Sequence, residues 1–140
     1  MQNINNHRRF SVPFHFVSIP LTLAVIIGSF VNLSNATPEN LYDASLLCLL
    51  SLIVLVALFF ARLFALRAQD RAIRAEENFR HFILTKKTLD SRLTMAQMIA
   101  LRFASDAEFP ALAQKAADTK MSGSDIKKEI KNWRPDFYRV

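Results

Sequence analysis

Apolar positions along this chain follow three regimes. Residues 14–33 (FHFVSIPLTLAVIIGSFVNL) and 44–61 (ASLLCLLSLIVLVALFFA) are apolar and uncharged almost throughout. Each is about as long as a helix needs to cross a ~30 Å hydrocarbon layer at ~1.5 Å per residue. Beyond Ala61 the pattern changes to Arg, Glu and Ala with no Gly or Pro before Pro110, which predicts that the second helix continues past its apolar part. Thr37-Pro38-Glu39 reads as its start, with Thr37 as cap, Pro38 in the first turn and Glu39 at the positive end of the dipole. The helix is expected from Thr37 to about Leu84.

Within it, Val54, Leu58, Ala61, Ala65, Ala68, Ala72, Ala75, Phe79 and Phe82 alternate four and three apart. That is a heptad seam, small in the middle and aromatic at its end, suited to close approach of another helix. Asp70 with Arg74, and Glu76 with Arg80, are spaced as i,i+4 pairs for the outer face. In the first run, Pro20 should kink the helix, and Gly28 and Ser29 offer a small surface to the second.

Three short helical signals follow Leu84. Thr94 and Gln97 form a capping box opening a helix whose buried face would hold Met95, Met98, Ile99, Leu101 and Phe103. Ser105 and Glu108 form a second box, with Pro110 in the first turn. Ser122-Gly123-Ser124-Asp125 opens a third helix, in which Ile126, Ile130 and Trp133 repeat and which Arg134-Pro135 stops. Packing of these short helices against the Phe79–Leu84 end of the long one is expected, because alone they bury little.

The formal charge is +6. Arg8 and Arg9 precede the first run, the connecting loop has Glu39 and Asp43 without Lys or Arg, and every other basic residue follows Ala61. Under the rule that basic flanks stay inside, both termini are cytoplasmic. The division is an N-terminal cytoplasmic segment 1–13, spans 14–33 and 44–61, an external loop 34–43, a cytoplasmic helical stalk 62–84 and a basic tail 85–140. A cleaved signal peptide is the weaker reading, since the first apolar run exceeds the usual core length and a second follows closely.

Candidate chemistry is sparse. His7, His15 and His81 have no carboxylate or thiol at metal-ligand spacing, and His81 with Glu77 reads as a helix-surface pair. The chain has two glycines, too few for a phosphate-cradling loop. Asp106, Glu108 and Asp118 read as caps and surface, and Cys48 as a small filler within the second span. No catalytic, cofactor-binding or metal site is expected, and the chain is not expected to be an enzyme. Two surfaces remain. The helix-packing seam (Ala61, Ala65, Ala68, Ala72, Ala75, Phe79, Phe82) would take another membrane protein or a second copy. The basic and aromatic group (Lys127, Lys128, Lys131, Trp133, Arg134, Phe137, Tyr138) would meet anionic lipid or close the tail's core. Leu112 to Trp133 is also laid out like a helix-turn-helix, so the alternatives are a membrane-tethered nucleic-acid binder and a sensor of anionic lipid surface.

The stretches LRFASDAEFPALA (Leu101–Ala113) and IKNWRPDFYRV (Ile130–Val140) resemble the close of a family of short bacterial two-span membrane proteins of unknown function, and the resemblance extends over the whole chain. It implies a bacterial inner-membrane protein and carries no activity or functional residue. The expected fold is thus an all-α membrane protein: a two-helix transmembrane hairpin, its second helix extended as a stalk, then about three short helices. The expected role is that of an interaction, accessory or scaffold component of a membrane assembly.

Overall fold

The computed structural model describes residues 11–136. Among them are five α-helices and no strand: α1 (Ile19–Ser34), α2 (Leu41–Thr85), α3 (Met95–Leu101), α4 (Phe109–Asp118) and α5 (Gly123–Glu129). They group into two compact units, divided within α2 between Ala65 and Leu66.

In the first unit, Pro13–Ser18 is wound as a wide π-helical turn leading into α1. The Ile19 N–H reaches the Phe14 carbonyl, five residues back. Pro20 has no N–H to offer and its ring crowds the preceding turn, so the irregularity expected at Pro20 is a widening of the backbone just ahead of it. The interior is narrow and made of small groups: Thr22 and Ser29 from α1, Ala44, Cys48 and Ser51 from α2. The Ser29 and Ser51 hydroxyls lie 3.1 Å apart across the helix pair. Each is also within reach of a carbonyl of its own helix, Ile26 for Ser29 (2.8 Å) and Cys48 for Ser51 (2.7 Å). Gly28, expected beside Ser29 in the seam, faces outward with nothing within 4 Å of a Cβ placed there.

The start of α2 differs from expectation. Thr37 to Asn40 form a turn in which the Thr37 N–H donates to Asn40 Oδ1 (2.7 Å). The Asn40 carbonyl then accepts from Ala44, so the helix opens at Leu41. The Asn40 side chain satisfies Thr37, and Thr37 turns its hydroxyl to Glu39 and Asn40 (3.2 and 3.3 Å) rather than capping.

The second unit joins the end of α2 to the three short helices. Its core is Leu89, Leu93, Met98, Ala100, Leu101, Phe103, Ala104, Phe109, Leu112, Ala113, Ala116, Ala117, Ile126 and Ile130. The Thr94–Gln97 box forms as expected, and the buried Gln97 amide goes further. Its Nε2 donates to the carbonyls of Ala116 (3.2 Å) and Met121 (2.9 Å), tying α3 to the end of α4. α3 and α5 approach closely: a Cβ on Gly123 would lie 3.0 Å from the Ala96 carbonyl oxygen. With so few glycines, α2 and α4 end on left-handed lysines, Lys86 (φ 60°) and Lys120 (φ 51°). After Lys120, the Met121 N–H returns to the Ala116 carbonyl (3.2 Å), the hydrogen bond of a Schellman stop.

Two boundaries in this unit are corrected. The Ser105–Glu108 box does not form, and α4 begins at Phe109 with Pro110 at its second position. Had Ser105 been the cap, Pro110 would sit where the helix needs its N–H; at the second position none is needed. Glu108 instead accepts from the backbone N–H groups of Lys131 (3.3 Å) and Asn132 (3.1 Å). α5 stops at Glu129, well short of Trp133, because Ile130 turns extended. Beyond it, Trp133 bridges to Ala104 and lies against the Phe103 ring at 5.0 Å between centroids.

Candidate interaction surfaces

The short helices dock on α2 through a polar stripe. Ile73 and Glu77 are buried, and Arg80 and His81 half-buried, positions four, three and one apart on one side of the helix. Arg80 is the node. Its Nη1 donates to Glu77 Oε2 (3.0 Å), its Nε to Asp106 Oδ1 (2.7 Å) and its Nη2 to the Ala104 carbonyl (2.7 Å). The guanidinium lies 4.5 Å from the centroid of the Phe109 ring, and His81 meets the same ring edge-on. Burial pushes the Glu77 carboxyl above its ordinary value, against the opposing pull of Arg80, Arg134 and Arg102. Thus Glu77 and His81 are not a surface pair. Glu76 does not take Arg80, and among the described residues Asp70 and Arg74 form no ion pair.

Other carboxylates, Asp118 among those expected at the surface, tie elements together. Asp118 and Asp90 share Arg92 (2.7 and 2.6 Å). Hydrogen bonds from Arg92 hold Asp90 down at about 2, and the bonds from Gln114 and then Arg92 lower Asp118. Buried Arg102 pairs with Asp136 (2.9 Å). Beside it is a cleft of about 340 Å³ whose charged lining is Glu76, Glu77, Arg102, Arg134 and Asp136. Sequence reasoning missed Glu77, Arg80, Arg102 and Gln97 as fixed points. For the first two the signal was present, since Ile73, Glu77 and Arg80 repeat four and three apart.

The basic and aromatic group is dispersed. Lys128 pairs with Asp125 (3.1 Å), and Lys127 lies over the Phe103 ring at 5.7 Å. Lys131 and Arg134 follow the end of α5, so the four cations do not share a helix as a DNA-reading helix would require. Trp133 packs on the core. Phe137, Tyr138 and the basic collar His7–Arg9 lie outside the described residues.

The helix-packing seam is uncovered. Ala61, Ala68, Ala72, Ala75, Phe79 and Phe82 are exposed and Ala65 is half-buried; Phe79 is 65% exposed. The short helices do dock at the Phe79–Leu84 end of the helix, as expected, but through Arg80 and His81; Phe79, Phe82, Ile83 and Leu84 all remain exposed. Arg80 and His81 take that contact because Phe109 can accept a cation on its face and a ring at its edge, with their polar atoms still bonded.

A model of a family of unknown function, DUF6526, matches residues 1–140. The chain belongs to that family. Searches of curated proteins and of solved structures found no match. Membership in DUF6526 takes in the helix pair and the helical unit alike, and attaches no reaction to either. Among the described residues no three His, Cys, Asp or Glu side chains cluster as a metal site would require.

Proposed function

We propose that the chain is an integral membrane protein whose first unit is a two-span hairpin. On this reading it holds a small helical unit at the cytoplasmic face, where it acts as an interaction or accessory component of a membrane assembly, without catalysis of its own. The observation that carries the reading is the outward placement of the apolar side chains. Pro13–Ser34 and the apolar part of Leu41–Thr85 have mean hydropathies of 2.1 and 2.9. Yet Leu21, Ile27 and Phe59 are each more than 60% exposed, and the small and hydroxyl-bearing groups lie between the helices. A core helix of a water-soluble protein would bury its large residues, and water would not tolerate so wide an apolar surface. In lipid the same arrangement is favourable, since close packing of small residues holds spans together. The distribution of Lys and Arg supports cytoplasmic termini and, with the family resemblance, a bacterial inner membrane.

The test is extraction and protection. After alkaline carbonate washing the full chain should remain in the membrane pellet. In sealed inside-out vesicles, protease should remove residues beyond the second span; in right-side-out vesicles it should not. Release by carbonate, or digestion of the tail from the outside, rejects the reading.

A further inference from the structure

We propose that the exposed apolar face of α2 beyond Leu66 is the interface of a parallel homodimer, joined along Ala68, Ala72, Ala75, Phe79 and Phe82. The parallel arrangement rests on the membrane reading above, because two copies inserted the same way run in the same direction. At 3.6 residues per turn this face lies about 165° around the helix from Ile73, Glu77, Arg80 and His81. The short helices therefore occupy one side of α2 and leave the other exposed, with Ala72, Glu76 and Phe79 at its edge bordering the clefts that Arg134 helps to line.

Charge identifies the second helix as another copy. In a parallel pair with Ala68 and Ala75 at the d positions and Ala72 and Phe79 at the a positions, the residue before one a position meets the residue after the next d position of its neighbour. Here those residues are Arg71 and Glu76. Both are exposed, and among the described residues neither has an ion pair within the chain, since Arg80 bonds Glu77 and Asp106 instead. Twofold symmetry then forms the Arg71–Glu76 contact twice, flanking Ala72 and Ala75. Alanine at three successive seam positions allows the axes to approach to about 8 Å, and Phe79 and Phe82 close the far end.

The experiment uses the full chain in native membranes with Cys48→Ala, so that each introduced thiol is unique. Ala68→Cys and Ala72→Cys should give disulfide-linked dimers on mild oxidation, while Asp70→Cys, outside the seam, should not. In the Ala72→Cys background, Arg71→Glu or Glu76→Arg alone turns two exposed pairs from attractive to repulsive and should lower the linked fraction roughly tenfold. The double exchange Arg71→Glu with Glu76→Arg should restore it. Absence of linkage at both Ala68 and Ala72, equal linkage at Asp70, or a double exchange no better than the singles overturns the proposal. Carbonate extraction of the same samples tests the membrane reading separately. A carbonate-resistant chain that does not link rejects only the dimer, and a carbonate-released chain that links at Ala68 and Ala72 with charge rescue retains the dimer and rejects the membrane reading.

Discussion

Replacing Arg80 with Met tests how the short helices are held to α2. Methionine keeps an apolar stem against the Phe109 ring while removing the charge and donors. Three polar contacts are lost, and they differ in worth. The Asp106 side chain is 68% exposed, so that pair contributes only about 0.5 kcal/mol. The Ala104 carbonyl loses a charged donor, worth about 1.5 kcal/mol. Glu77 matters most: its side chain is 7% exposed, and stripping the partner from a buried carboxylate costs about 3 kcal/mol at the lower end of the usual range. These terms overlap, and the expected loss is about 3–4 kcal/mol. With Arg80 gone the Glu77 carboxyl rises further, so the penalty should shrink as pH falls and protonation relieves the buried charge. Adding Glu77→Gln removes the stranded charge and should recover about half the loss. Amide hydrogen exchange of α3–α5 in the full chain in detergent measures the opening free energy. A loss under about 1 kcal/mol, or a double variant no more protected than Arg80→Met alone, refutes the assignment of Arg80 as the node.

Phe109 is fully buried beneath Arg80 and His81, and Phe109→Ala should cost about 4 kcal/mol, read as lost protection in α3–α5. Lys120→Gly relieves a left-handed side chain at an exposed helix end and should gain about 0.5–1 kcal/mol in thermal unfolding; a loss would mean that the Lys120 side chain has a structural role. Acid and base should act oppositely on the helical unit. Asp90, Asp118 and Asp125 are lowered by their hydrogen bonds, so their stabilisation is complete above their ordinary 3.8 and disappears as pH falls toward about 2, the value Asp90 reaches. Glu77 is raised, so the folded form retains its proton longer than the unfolded chain and stability declines as pH rises through 4.5. Melting curves of Glu77→Gln should lack that upper decline, and those of Asp90→Asn should show a smaller loss in acid.

Elements governed by local chemistry were legible in the sequence. Uninterrupted apolar runs gave both long helices, and the Thr94–Gln97 and Ser122–Asp125 signals gave the starts of α3 and α5. The errors arose where a distant group competed for the same polar atoms. Glu108 looked like the reciprocal half of a box, but the N–H groups of Lys131 and Asn132 needed an acceptor after α5 ended. The repeat through Trp133 looked helical, but that ring is held by Phe103 and the Ala104 bridge, from a segment some thirty residues earlier. The end of α2 that takes the tail was legible, but the side chains that make the contact were not: Phe109 presents an aromatic face and Ala104 a carbonyl, which Arg80 satisfies better than an apolar side chain would. Of the candidate surfaces, the spacing of the seam was readable; its exposure opposite the tail was not, because that depends on where the tail docks.

The hydroxyl contact between Ser29 and Ser51 has a consequence for how the helix pair can come apart. Two hydroxyl hydrogens serve three short contacts there, one across the pair and one to each serine's own helix. If α1 and α2 separate, each serine keeps a carbonyl within reach, so on the proposed membrane reading no donor would be stranded in hydrocarbon. The bond across therefore fixes register without locking the pair, and its loss should cost less than about 1 kcal/mol. On that reading, a hairpin fastened in this way could open and re-form, or exchange one helix for that of a neighbour, without a polar group having to cross lipid unbonded.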